Sequence, residues 1–150
     1  MTTTMSFPGV LDSLSHIRAF ARGAAMRAGL DERGTYRLCL AVDEVATNII
    51  THGYAEAGRD GTVVVSARLD AASLTLEIED TGARYDPAAQ PMPTEQELAE
   101  PPEVRRAGGL GLFLVFQSVS SFRHEHIGSR NRTTLVMQLE EDRQHHGDPS

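Results

Sequence analysis

A second cysteine is missing, and its absence removes two classes of protein. The lone Cys39 lies among Leu38, Leu40 and Ala41, where it reads as a small buried hydrophobe and cannot close an internal disulfide. Disulfide scaffolds and multi-cysteine zinc sites are excluded. Net positive charge is also missing. With 14 basic against 21 acidic residues the chain carries −7 at pH 7, whereas binding nucleic-acid phosphates calls for a basic patch that releases counterions. No nucleic acid is expected as a partner. There is no basic N-terminal segment followed by an apolar run, and nowhere do about eighteen apolar residues occur in succession. The expectation is a cytoplasmic protein with no membrane partner. No internal repeat is apparent. What is there is a 150-residue chain, 40% hydrophobic and 23% charged, which suits one globular domain with a real core.

Residues 1–9 are rich in Ser and Thr and end in Pro8 and Gly9, so they form either an edge strand or a disordered arm. From Leu11 to Ala28 the residues Leu11, Leu14, Ile17, Ala21, Ala25 and Ala28 recur at threes and fours, which predicts an amphipathic helix ending at Gly29. One sheet face is not expected to cover this small-residue stripe fully. Asp31 is placed to cap a second helix running to about Thr51, with Gly53 just beyond its end. After the turn "AGRDG" two alternating runs, "TVVVSARL" and "SLTLEIED", read as a hairpin joined at Asp70 to Ala72. In the second run Leu74, Leu76 and Ile78 share one face, and Asp80 falls where the strand runs out.

Five of the seven prolines lie between Pro87 and Pro102, among Glu95, Glu97, Glu100 and Glu103, and predict a long mobile loop. The run "GGLGLFLVFQSVS" reads as a glycine-led apolar helix, with Phe113, Leu114 and Phe116 as core. Two strands, "FRHEHI" and "TTLVMQL", follow around a turn "GSRN", and residues 141–150 form a polar, disordered tail. Helices on one face of a mixed sheet make an α+β two-layer sandwich.

Three features stand at element ends. Glu44 and Asn48, four apart, share one helical face that continues to His52 and serves either as a solvated stripe or as a pocket floor. Asp80 and Gly82 sit in "DTGARYDP", where glycine permits a turn or close approach to a ligand. "RRAGGLGLFLV" offers free amides, close backbone approach and two arginines, a combination that suits phosphate. It is not a Walker loop, which needs Gly-Lys-Ser or Gly-Lys-Thr.

In order and spacing, "DEVATNIITHGY", "IEDTGARYDP" and "GGLGLFLV" resemble the N-box and two glycine boxes of the GHKL superfamily, which has the Bergerat, histidine-kinase-like ATPase fold. Within it the chain most resembles the anti-sigma factor serine/threonine-protein kinases. The resemblance covers residues 10–140, with an ATP lid over 83–107. It implies an ATP- and Mg²⁺-dependent kinase that phosphorylates a small anti-sigma-factor antagonist and sequesters a sigma factor or similar regulator. It also implies a homodimer. Glu44 would be the catalytic base, Asn48 the Mg²⁺ ligand, and Asp80 the acceptor for the adenine amino group, with Gly82 admitting the base. Gly108, Gly109, Leu110 and Gly111 would bring amides to the phosphates, Arg105 or Arg106 would counter the γ-phosphoryl charge, and Thr133 would help hold adenine. One departure is Arg132, where the family usually has glycine; its guanidinium either crowds the adenine edge or points to solvent.

The rival reading is a nucleotide-dependent regulatory binding module without kinase activity, and the presence of Glu44 separates the two, since a switch needs no base. A histidine kinase fragment is disfavoured because no phosphoacceptor helix precedes the domain. His52 is expected to interact with the helix end rather than a metal. Solvation accounts for His124, His126, His145 and His146, and the acidic run from Glu95 to Glu103 is read as a solvated loop.

Overall fold

The computed structural model describes residues 1–84 and 117–139. Strand β1 (Thr2–Pro8) leads through a 3₁₀ turn (Leu11–Ser13) into helices α1 (Leu14–Ala28) and α2 (Glu32–Asn48). The chain then runs on as a π-helical segment (Ile49–Ala55) before strands β2 (Thr62–Leu69), β3 (Ser73–Asp80), β4 (Ser121–Ile127) and β5 (Arg130–Gln138).

Local chemistry sets the helix ends. Gly29 takes φ of 78°, and the amides of Gly29 and Leu30 donate to the carbonyls of Met26 and Ala25, the reciprocal pattern of a Schellman cap. Asp31 caps α2 by accepting from the Gly34 amide at 2.7 Å. The second helix does not stop near Thr51. It widens into the π-segment, in which the Glu56 amide reaches the Thr51 carbonyl at 2.9 Å, and Gly53 lies inside it.

Tyr54 explains why the helix carries on. Its ring is buried, and a Cβ on either Gly9 or Gly61 would stand within 2.7 Å of it. Its hydroxyl donates to the Thr62 carbonyl at 2.6 Å and accepts from the Thr81 amide at 2.9 Å. One side chain thus joins the helix end to the chain beside β1, β2 and β3, and only residues without a Cβ leave room for the ring.

The strands lie in the order β1-β2-β3-β5-β4. Among the described residues all four pairings are antiparallel where a mixed sheet was expected, and chain reversals account for it. Two consecutive helices between β1 and β2 return the chain in the opposite direction, and the other neighbours pair as hairpins or across the β3–β5 seam. Residues 2–8 form an edge strand, with Phe7 opposite Val63. The hairpin of β4 and β5 closes through Gly128 and Ser129 alone, with Gly128 at φ of 64°, so Asn131 belongs to the strand and not to a four-residue turn.

The helices cover one face of the sheet. Ile17, Ala21, Ala24, Ala25 and Ala28 of α1 and Leu38, Val42 and Val45 of α2 are buried against Val63, Val65, Leu74, Leu76, Ile78 and Leu135. From Ile17 to Ala28 the apolar stripe is covered within the chain, while at its start Leu11, in the 3₁₀ turn, remains exposed and Leu14 is only partly buried.

Candidate functional site

Glu44 and Asn48 occupy successive turns of α2, and the two are not equally buried. Asn48 is only 4% exposed, and its amide makes no hydrogen bond among the described residues. Glu44 is half-buried; burial, and then the neighbouring Asp43 charge, push its carboxyl above the ordinary value of 4.5. His52 does not extend the pair. The π-segment turns it away from the α-helical phase, and its Nδ1 lies 2.6 Å from Glu56 Oε1 rather than at the terminal carbonyls.

The helix reaches the end of β3 through two glycines. A Cβ on Gly82 would fall 2.7 Å from the Gly53 carbonyl oxygen, and that oxygen accepts from the Ala83 amide at 2.8 Å. The room that glycine leaves at position 82 is taken by Gly53, so close backbone contact requires it whether or not a ligand is bound. The contact sets the turn after Asp80 against the helix that carries Glu44 and Asn48.

Asp80 is 3% exposed, a burial that would be costly for an unpaired carboxylate. Its Oδ1 accepts from the Gly82 amide and from Asn131 Nδ2, each at 2.9 Å. Burial pushes its carboxyl above the ordinary 3.8, while these two hydrogen bonds pull it down. Asn131 Nδ2 also lies 3.2 Å from the Gly82 carbonyl oxygen, and Asn131 Oδ1 pairs with His126 Nδ1. One row further along, Thr133 is buried with its hydroxyl 3.0 Å from His124 Nδ1. The register makes Ile78, Thr133 and His124 one row and Asp80, Asn131 and His126 the next, all on the helix side of the sheet.

Over residues 7–139 the sequence matches the family described as the histidine kinase-like ATPase domain. The chain belongs to the histidine kinase-like ATPase domain family. Within that family it stands with the anti-sigma factor serine kinases. It is 30% identical over 113 residues to the serine-protein kinase RsbW of Listeria innocua, covering 75% of this chain and 71% of that one. To the serine/threonine-protein kinase BtrW of Bordetella bronchiseptica it is 28% identical over 112 residues, covering 75% and 76%. The RsbU and RsbW domains of a Mycobacterium tuberculosis protein superimpose with a TM-score of 0.63 at 20% identity, over 91% of this chain and 32% of that one. The SiaB-SiaC complex of Pseudomonas aeruginosa gives 0.53 at 16% identity, over 91% and 89%. The two structures speak to the fold alone.

In this histidine kinase-like ATPase domain Arg132 lies on the sheet face away from the helices. Its Nε donates to Glu79 Oε1 at 2.9 Å, so it does not crowd the row that holds Thr133. Arg105, Arg106, Gly108, Gly109, Leu110 and Gly111 lie outside the described residues, as do Phe113, Leu114 and Phe116, expected as core, and the expected lid from residue 85 onward and tail. Asn131, His124 and His126 were not among the expected site residues. The signal that could have found them is the Gly128-Ser129 dipeptide, a two-residue hairpin turn that fixes the pairing of both histidines. No helix among the described residues is long and apolar enough to cross a membrane.

Proposed function

We propose that this chain is an ATP-dependent serine/threonine protein kinase that acts as an anti-sigma factor, phosphorylating a small antagonist and sequestering a sigma factor or similar regulator. The observation that carries the reading is the contact of Gly53 with Gly82, which brings the helix of Glu44 and Asn48 against the turn that holds Asp80. Kinship with the serine kinase RsbW supports it.

The side chains fit the groups the reaction needs. Asn48 is a buried amide with a hard oxygen and no partner among the described residues, which suits Mg²⁺, a cation that takes few protein ligands beside substrate phosphates. Asp80 would accept from the adenine amino group, and Thr133 would lie beside the base. ATP supplies the phosphoryl group when bound, with Mg²⁺ offsetting its charge. Glu44 would accept the proton of the attacking serine or threonine hydroxyl, and its raised pKa makes it a stronger base than an ordinary glutamate. Gly108, Gly109, Leu110 and Gly111 would hold the phosphates by their amides, with Arg105 or Arg106 countering charge. The protein would act as a homodimer in the cytoplasm.

Glu44→Ala tests the assignment. Calorimetry should give Mg-ATP affinity near that of the parent, while transfer to the antagonist falls by about 10²-fold or more. If the variant transfers at the parent rate, Glu44 is not the base. If the parent binds ATP and transfers nothing to the antagonist, the binding-module reading replaces the kinase. The pH–rate profile is a second check. Glu44 must be ionised to accept the proton, so the rate should climb with pH through an apparent pKa above the ordinary 4.5.

A further inference from the structure

The amide of Asn131 has its orientation dictated by its partners. Its nitrogen faces two acceptors, Asp80 Oδ1 at 2.9 Å and the Gly82 carbonyl oxygen at 3.2 Å. Two acceptors call for an N–H group, so the amide oxygen is left to face His126 Nδ1. An amide oxygen can only accept, and Nδ1 must therefore carry a proton. The three residues are lateral neighbours on β3, β5 and β4, so the antiparallel register builds the chain of hydrogen bonds without help from a loop. Edge-on contact between the rings of His126 and His124, with centroids 5.1 Å apart, supports His126 from the next row.

This chain of bonds acts on one oxygen of Asp80. Oδ1 takes both available donors, the Gly82 amide and Asn131 Nδ2, while no donor among the described residues reaches Oδ2. Both donors favour the ionised carboxylate, which is acceptor-only. Resting on the nucleotide reading above, we infer that Asn131, braced by His126, is a positioning residue that sets the choice of purine: it keeps Asp80 an acceptor with one oxygen left for the ligand, so that a 6-amino purine is taken and a 6-oxo purine refused. A 6-oxo group brings a second acceptor to that oxygen. Without Asn131, a carboxyl at 3% exposure loses one of its two charge-stabilising donors, and its neutral acid form can donate to an oxo group as readily as it accepts from an amino group.

The experiment is calorimetric titration of the full chain with Mg-ATP and with Mg-ITP, whose base carries oxygen in place of the amino group. The parent should favour ATP. Asn131→Ala should lower the ATP/ITP affinity ratio about tenfold, the loss expected when one hydrogen bond to a charged group goes. Asn131→Asp should bring the ratio near one, because two adjacent carboxyls share a proton. His126→Phe should lower the ratio less, and His126→Asn, which returns an N–H donor, should restore it. A merely structural role would weaken both nucleotides equally, and an unchanged ratio in both Asn131 variants overturns the inference while leaving the nucleotide site standing. If those variants do not fold, the pair of His126 variants decides by the same ratio. A parent that binds neither nucleotide sinks the nucleotide reading and this inference together.

Discussion

The helix side of the sheet has two halves that are buried alike and built differently. At one end Leu76 and Leu135 are 0% exposed and lie side by side between Ala67 and Phe122; at the other Asp80 and Asn131 are each 3% exposed and hydrogen-bond to each other, to Gly82 and to His126. Burial does not separate the halves. In the apolar half, area removed from water stabilises the fold without regard to direction. In the polar half each buried group needs a partner at a definite angle, so geometry is fixed there more narrowly. Strand β3 belongs to both, with Leu74 and Leu76 holding the fold and Asp80 facing the site.

Substitutions that strike one half and spare the other test this division. The largest effect is expected for Leu76→Ala, which should cost about 2–5 kcal/mol in denaturant unfolding yet leave the ATP/ITP ratio of the surviving folded protein intact. Gly82→Ala comes next. Its new Cβ would meet backbone of Gly53 at 2.7 Å, and about 1–3 kcal/mol of stability should go together with nucleotide affinity. Equal stability to the parent would show that Gly53 yields freely.

Asp80→Asn should be milder for the fold, since the new side chain can keep an acceptor oxygen toward Gly82 and Asn131. Burial raises the folded pKa of Asp80 above its ordinary value of 3.8. A raised acid pKa contributes stability below the unfolded value, and that contribution is lost as pH rises through the folded one. The variant should therefore gain in melting temperature relative to the parent as pH rises through that window. A constant difference across it would mean that Asp80 titrates as it does unfolded. Smallest of all is Arg132→Gly. Its partly exposed pair with Glu79 is worth under about 1 kcal/mol, and ATP affinity should not move, because the residue lies on the other face of the sheet.

Much of the apolar half was legible in the sequence because its periods are local. Threes and fours from Ile17 to Ala28 and alternation from Leu74 to Ile78 are set by helix and strand geometry, and local chemistry marks the ends, the Asp31 carboxylate as a cap and Gly29 by its backbone. Asp80 was found for the same reason, as the residue where an alternating run stops. Asn131 and His126 were hidden because their role is lateral: it exists only once β4, β5 and β3 lie side by side. Placing Asn131 in a turn concealed it further. The π-segment was hidden in another way. Its length depends on Tyr54 finding a slot between Gly9 and Gly61, which no window around position 54 contains.

Strand β1 has a consequence for the order of events in folding. Met1, just ahead of its first residue, bonds Leu69 across 68 positions of chain, and both helices lie in the interval. Closing so large a loop carries an entropic cost that is lowered once the intervening helices have formed and packed. Contacts of β1 therefore belong late on the folding path, after the transition state. Weakening this strand should quicken unfolding while leaving the refolding rate nearly unchanged, so the lifetime of the native state hangs on its first eight residues more than the speed of reaching it does.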